Sequence, residues 1–414
     1  MNPIKHSILP TILATGLASL FVTPTAFADD AFFEALTGGK VSFSTRLRYE
    51  NVDQDNALKD ADALTLRTTL GYKTGDFHRF SAFAELEDIT EIGSDHYNST
   101  TNGNTQYSVI ADPDNTEVLQ AYLAYNNWDT EFKYGRQEIT HRAAPFHRFI
   151  GNVLWRQNHQ SYDGFTIVNH SFDKTELSYA YINKRNTIFG DDRNAGIIRN
   201  GVVDMDSHLF RGVYDGFSAG KLEAYAYLLD FEDAPTIGTK TIGLRWNGAA
   251  PLNDDFKLIY TAETARQDDY KDGTMASQNY YLAELGGKYK GWMAKLSYEM
   301  QEGDGTDSFK TPLGTNHPFQ GWADQFLSTP AQGLRDIYVT AVGKVFGSKL
   351  VVIYHDFETD EKSLDAGSEF NIMVTKKFMK HYTLGAAYAD YNADSEFASK
   401  VDTEKFWLFG QLKF

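Results

Sequence analysis

Lys405-Phe406-Trp407-Leu408-Phe409-Gly410-Gln411-Leu412-Lys413-Phe414 is the stretch that decides the fold. Strand side chains alternate between two faces. Phe406, Leu408, Gly410, Leu412 and Phe414 therefore share a face without charge, while Lys405, Trp407, Phe409, Gln411 and Lys413 share a mixed, partly cationic one. A soluble sheet seldom ends on so apolar an edge, because an unpaired edge recruits other chains. Closing the sheet on itself removes the edge. The stretch reads as the closing strand of an all-β chain, a transmembrane antiparallel β-barrel whose last strand pairs with its first.

Residues 40–50 supply that first strand. Val41, Phe43, Thr45, Leu47 and Tyr49 oppose Lys40, Ser42, Ser44, Arg46, Arg48 and Glu50. Residues 63–73 repeat the pattern, with Leu64, Leu66, Thr68, Leu70 and Tyr72 against Thr65, Arg67, Thr69 and Lys73, and so do segments near 256–265, 292–301 and 369–377. Reading each such segment as a strand gives about eighteen, near the ~9–11 residues that a tilted membrane strand needs. The connections alternate in length: 51–62 is long and 74–77 short, 89–116 long and 127–129 short, 139–160 long and 171–173 short, with 302–334 the longest. Short turns at one end and long loops at the other mark outer-membrane barrels. An even strand count then puts both termini at the short-turn, periplasmic end.

Ahead of the barrel, Lys5 and His6 precede an apolar run from Ile8 to Val22, and Ala26-Phe27-Ala28 fits the small-x-small cleavage rule. The division expected is a signal peptide over 1–28, a short periplasmic leader over 29–39 with Phe32, Phe33 and Leu36, and a single barrel over 40–414. Pro10, Gly16 and Ser19 interrupt the run, which is short for a spanning helix. The chain has no Cys, which excludes disulfides, thiolate metal sites and cysteine nucleophiles. A mean hydropathy of −0.43 would suit a soluble protein, but in a barrel only alternate residues meet lipid. Its 24 Tyr and 29 Phe fit interfacial girdles. A formal charge of −17 argues against nucleic acid as a partner.

If the uncharged faces meet lipid, the charged faces line a lumen wide enough for water. Parity turns Arg46, Arg48, Arg67, Lys133, Arg211, Arg245 and Lys295 inward, together with Lys73, Lys257, Lys344, Lys349 and Lys377. Glu85, Glu87, Glu176, Glu223, Glu263, Glu284, Glu299, Asp336 and Glu369 lie between them. Such a wall is either salt-bridged and indifferent or a ladder of cations that hands an anionic solute along. Residues 138–160 favour the ladder: Arg142, Arg148 and Arg156 occur there with three His and only Glu138 as acid. The planar fork of Arg suits a carboxylate. Phe146, Phe149 and Trp155 offer a way to fold this loop inward as a constriction; gripping lipopolysaccharide phosphate from outside is the alternative. Trp155, Asn316, His317 and Trp322 suit a sugar ring through stacking and hydrogen bonds, or else pack the longest loop down as a lid. Acid pairs at Asp53/Asp55, Asp112/Asp114, Asp191/Asp192 and Asp304/Asp307 offer oxygens to calcium, but none completes a calcium-loop motif, and no cofactor is expected. No Gly-x-Ser-x-Gly, HExxH or phosphate-loop pattern occurs, so no catalytic residue is assigned.

Four segments carry a family resemblance. They are Arg46-Leu47-Arg48-Tyr49-Glu50, Lys133-Tyr134-Gly135-Arg136-Gln137-Glu138-Ile139, Trp155-Arg156-Gln157-Asn158 leading to Tyr162-Asp163-Gly164, and Gly314-Thr315-Asn316-His317 followed by Gly321-Trp322-Ala323-Asp324. In these the chain resembles the alginate-export family of outer-membrane channels. The resemblance implies a monomeric barrel with an arginine-rich constriction that passes a linear polyuronate, with Arg136, Arg142, Arg148 and Arg156 lining the pore. The expectation is a porin for anionic solutes, carboxylated saccharides such as uronate oligomers or alginate among them. A general or cation-preferring porin is the first alternative, and an outer-membrane enzyme or adhesin the second. Expected partners are outer-membrane lipid and lipopolysaccharide, the barrel-assembly machinery through the Phe414 strand, and the solute itself.

Overall fold

The computed structural model describes residues 30–93, 95–144, 147–190, 193 and 200–414. The expected signal peptide, Phe146 and the Asp191/Asp192 pair lie outside them. Helix α1 (Asp30–Thr37) precedes β1 (Lys40–Gln54), β2 (Ala61–Lys73), β3 (Phe80–Glu91), β4 (Asn115–Asn127), β5 (Thr130–Gln137) and β6 (Ser161–Asn169). Then come β7 (Thr175–Asn186), β8 (Val202–Phe217), β9 (Gly220–Leu229), β10 (Thr239–Pro251), β11 (Phe256–Asp269) and β12 (Gln278–Tyr289). The last six are β13 (Trp292–Gln301), β14 (Leu334–Val345), β15 (Ser348–Glu358), β16 (Asp365–Phe378), β17 (Tyr382–Asn392) and β18 (Thr403–Lys413). Every strand pairs antiparallel with its sequence neighbours, and β1 pairs with both β2 and β18, so the 18-stranded sheet is closed.

The closing seam runs from Ser44 opposite Lys413 to Gln54 opposite Thr403. At its end Phe43 N–H donates to Phe414 O at 2.8 Å, Phe414 N–H donates to Phe43 O at 2.9 Å, and the two rings lie 5.2 Å apart. Here the strand that would have been a bare edge satisfies its backbone groups.

Burial decides which face is outside. Leu47, Leu70, Leu244, Leu285, Leu296, Val339, Leu384 and Leu408 are 43–60% exposed, while Arg48, Glu50, Glu87, Glu299 and Glu369 are all under 5%. A water-soluble protein has the opposite arrangement. A continuous apolar belt of this kind marks a lipid-facing wall. Among the described residues no helix is long and apolar enough to cross a membrane; the strands cross it.

Connections after the even-numbered strands run to six residues at most, and those after the odd-numbered strands from six, at β1–β2 and β15–β16, to 32, at β13–β14. Trp128-Asp129, Lys290-Gly291 and Phe346-Gly347 have positive φ at both residues, the mirror-image turn geometry that matches strand twist. Their tips, with Tyr289, Trp292, Met379 and Phe414, form an exposed aromatic-rich rim. Several strands outrun their predicted bounds on the loop side, β1 to Gln54 and β8 back to Val202. Beyond the lipid belt both faces are polar, so the alternation that signals a strand fades there. Bulges between Glu85 and Leu86, Asp163 and Gly164, and Ile182 and Lys184 shift the pairing by a residue.

Candidate functional site: the lumen and its inward loops

Two of the long connections meet inside the barrel, and Asp112 of a third also reaches the inward wall at Arg48. Residues 138–160 and 302–333 meet at a parallel bridge between Ile150 and Leu313. Gly151 N–H donates to Leu313 O at 3.1 Å, and Gln160 Nε2 donates to the same oxygen at 2.9 Å and to Gly151 O at 2.8 Å. Beneath the junction the Phe149 ring packs on Tyr225, Tyr280 and Phe309 at 5.3, 5.4 and 6.0 Å. A Cβ on Gly314 would stand 1.9 Å from Arg148 O, so the loops can cross this closely only at a glycine. Buried apolar rings and paired backbone groups hold the loops in place.

The loop arginines clamp these segments to the wall. Arg142 reaches Glu223 of β9 at 3.0 Å and Glu263 of β11 at 2.8 Å, and Arg211 and Arg245 reach the same two acids at 3.1 and 2.6 Å. Arg148 pairs with Glu299 of β13 and donates to Gln320 at 2.6 Å and to Asn316 at 3.3 Å. Arg156 lies between Glu50 of β1 at 3.2 Å and Asp324 at 2.8 Å; Asp324 also takes Lys405 of β18 at 2.7 Å and the His317 ring. Arg48 pairs with Glu50 at 2.9 Å and with Asp112, and Arg67 with Glu87 at 2.5 Å. Lys295 pairs with Glu284, and Lys133 with Glu131 at 2.7 Å. Among the described residues Arg46 pairs with no carboxylate; it donates to Gln157 Oε1 at 2.7 Å, Leu154 O at 3.1 Å and Arg156 O. The loop and wall cations brought together here are thus largely neutralised in place.

Burial pushes the Asp324 carboxyl up, but His317, Lys405 and Arg156 outweigh it and hold the group far below the usual carboxylate range. Burial pulls His317 down to about 4 against the pull of Asp324. At neutral pH the contact is therefore a neutral Nδ1–H donating to a carboxylate.

Trp155, Asn316, His317 and Trp322 form one cluster with Trp407 of β18. The Trp155 ring centroid lies 3.8 Å from that of His317 and 5.6 Å from those of Trp322 and Trp407. Asn316, His317 and Trp322 are buried, and Asn316 donates to Phe326 O at 3.0 Å. In this arrangement their faces are taken up by one another. Of the acid pairs, Asp112 is buried against Arg48 and accepts Gln157 N–H at 2.9 Å, and Asp304 accepts the N–H groups of Thr306 and Asp307 at 2.8 Å each. Among the described residues no His, Asp and Glu group is placed to hold a metal ion.

Arg136 stands apart. Gln137 is buried and turns inward, so Arg136 shares the outward face with Phe132 and Tyr134, both exposed. Its guanidinium takes both oxygens of Asp163 on β6, at 2.7 and 3.1 Å, and Val118 O at 3.1 Å. The pair borders an outward notch of about 480 Å³ whose lining includes Tyr134, Phe165 and Tyr181. Arg136 thus lies on the outer wall, away from the lumen.

The register reveals one feature that single residues do not. At the turn end, inward parity gathers Lys40, Lys73, Lys257, Lys288, Lys344, Lys349, Lys377 and Lys413, all exposed. Three pairs face each other directly across strands: Lys40 and Lys73, Lys257 and Lys288, Lys344 and Lys349. Among the described residues none of the eight forms an ion pair, unlike the neighbouring Lys295 and Lys290. They form an arc over β11–β18, β1 and β2. Like charges directly opposite destabilise a sheet, by up to about 1 kcal/mol a pair in water.

Closed sheet, lipid belt and charged, loop-filled lumen together define a transmembrane β-barrel of the outer-membrane porin class. Solved structures share this fold. Acinetobacter baumannii OccAB4 matches with a TM-score of 0.73 at 17% identity over 91% of this chain and 98% of its own. A. baumannii OccAB2 matches at 0.72 and 15% over 92% and 99%. Pseudomonas aeruginosa OpdK with vanillate matches at 0.70 and 12% over 92% and 99%. The property these structures share with the chain is the fold. No family model and no curated protein sequence matches the chain. The neighbours are Occ and Opd channels and do not support the alginate-export resemblance.

Proposed function

We propose that the barrel is a diffusion channel for anionic solutes, carboxylated ones above all, with short uronate oligomers as the saccharide form. One observation carries this reading: the arc of eight lysines without ion pairs at the turn-side mouth. Most of the arginines deeper in the lumen are matched by acids and add little net field; Arg46 is held by amide and backbone oxygens instead. The lysines are not matched, and three pairs of them are held against their own repulsion. A water-filled mouth with low-dielectric walls concentrates the field of such a group on passing ions. The vanillate seen with OpdK is a carboxylate of the kind this mouth would attract. The net charge of −17 favours the cation-preferring alternative, but the inward acids, Glu50, Glu223, Glu263 and Glu299 among them, are spent on loop and wall cations.

The test is current block in a planar bilayer. A uronate oligomer added on the turn side should interrupt the current, and 1 M salt, where the screening length is about 3 Å, should relieve the block. A neutral oligosaccharide of equal length that blocks as well would contradict the proposal.

A further inference from the structure

Helix α1 is the only α-helix among the described residues, and it lies outside the wall. Tyr72, on the lipid-facing side of β2 with Leu70, donates its hydroxyl to Leu36 O and accepts Gly39 N–H at 3.2 Å. Gly75 N–H, in the β2–β3 turn, donates to Ala35 O at 2.8 Å. Phe32 meets Phe77 of the same turn edge-on at 5.4 Å. These contacts fix the helix at the turn-side rim.

At helical period, Phe32, Phe33, Ala35 and Leu36 span an arc of about 160°, and Asp30, Glu34 and Thr37 occupy the other side. The apolar side is not covered by protein: Phe32, Phe33 and Leu36 are 43%, 50% and 44% exposed, and no residue of α1 is buried. It adjoins the lipid-facing wall: Tyr72, which holds the helix, stands opposite Val41, and Phe77, which meets Phe32, bridges Phe80, with Val41, Leu70 and Phe80 all exposed. An amphipathic helix adjoining a bilayer-facing belt fits the bilayer interface.

We infer that α1 is an interfacial anchor. It lies at the boundary of headgroups and acyl chains in the turn-side leaflet, with Phe32, Phe33 and Leu36 in lipid and Asp30 and Glu34 toward water. The partner is the lipid surface itself. This goes beyond the leader read from the sequence, which carried no membrane role.

The absence of Cys from the chain makes the test direct. Nitroxide labels are placed singly through Asp30→Cys, Phe33→Cys, Glu34→Cys and Leu36→Cys in barrels reconstituted into phospholipid vesicles. Collision with oxygen, which concentrates in lipid, is compared with collision with a water-soluble nickel chelate. The expected result is oxygen-accessible, nickel-shielded labels at positions 33 and 36 and the reverse at 30 and 34. Equal nickel access at all four, or shielding from both reagents at 33 and 36, would overturn the inference. In a second arm, Phe33→Ser with Leu36→Ser should raise the mobility of a label at position 34 and leave ion conductance unchanged. An unchanged label would count against anchoring.

Discussion

Arg148 and Glu299 show what an ion pair does in this lumen. Both are almost wholly buried, and each satisfies the charge of the other. Breaking a buried pair by removing one partner leaves an uncompensated charge, at a cost of roughly 3–5 kcal/mol. Arg148→Ala should lose about that much stability in urea unfolding, and Arg148→Met combined with Glu299→Leu should recover most of it. A loss under about 1 kcal/mol would mean that water reaches the pair. His317 gives a pH dependence of defined sign. Its docked form titrates near 4, below the ordinary 6.5. Between those values a released His317 takes up a proton that the docked one refuses, so docking weakens as pH falls through the window. Asp324 does not act in that window, because its depressed carboxyl loses its stabilising effect only below the ordinary carboxylate range. Proteolysis of residues 302–333 in reconstituted barrels should therefore speed up from pH 7 to about 4.5, with His317→Gln flattening the profile.

At the scale of elements, the two inward loops are held at one shared point. Asp324 ties the loop over 302–333 to Arg156 of the loop over 138–160 and to Lys405 of β18. Asp324→Ala should undock both and raise single-channel conductance and open-channel noise. Unchanged conductance would mean that the loops stay docked on the Ile150–Leu313 bridge and the Phe149 cluster alone. The sequence carried the faces of the strands well, since Leu47 against Arg48, or Leu296 against Lys295, needs only a period of two. It did not carry loop docking, because the acids that receive Arg142, Arg148 and Arg156 lie 81 to 168 positions away. Arg136 is a different case. It follows the inward Lys133 by three residues, an odd step, so alternation alone turns it outward, where the structure has it against Asp163.

At the scale of the molecule, closure and the lysine arc depend on one register. The β1–β18 seam ends on the Phe43–Phe414 ring contact and two reciprocal backbone bonds. Deleting Phe414 should lower the yield of inserted barrels while leaving the conductance of those that insert unchanged; undiminished assembly would show that the seam does not need its last residue. All but Lys288 of these lysines were legible one by one on the charged faces of strands, but their facing pairs were not, because register depends on every turn and bulge between them. The most direct measurement is the reversal potential across a planar bilayer under a salt gradient. The account predicts the anion-selective sign, shifted toward cations when Lys344→Glu, Lys349→Glu and Lys377→Glu are combined. A cation-selective wild-type channel, or a reversal potential indifferent to the three substitutions, would contradict it.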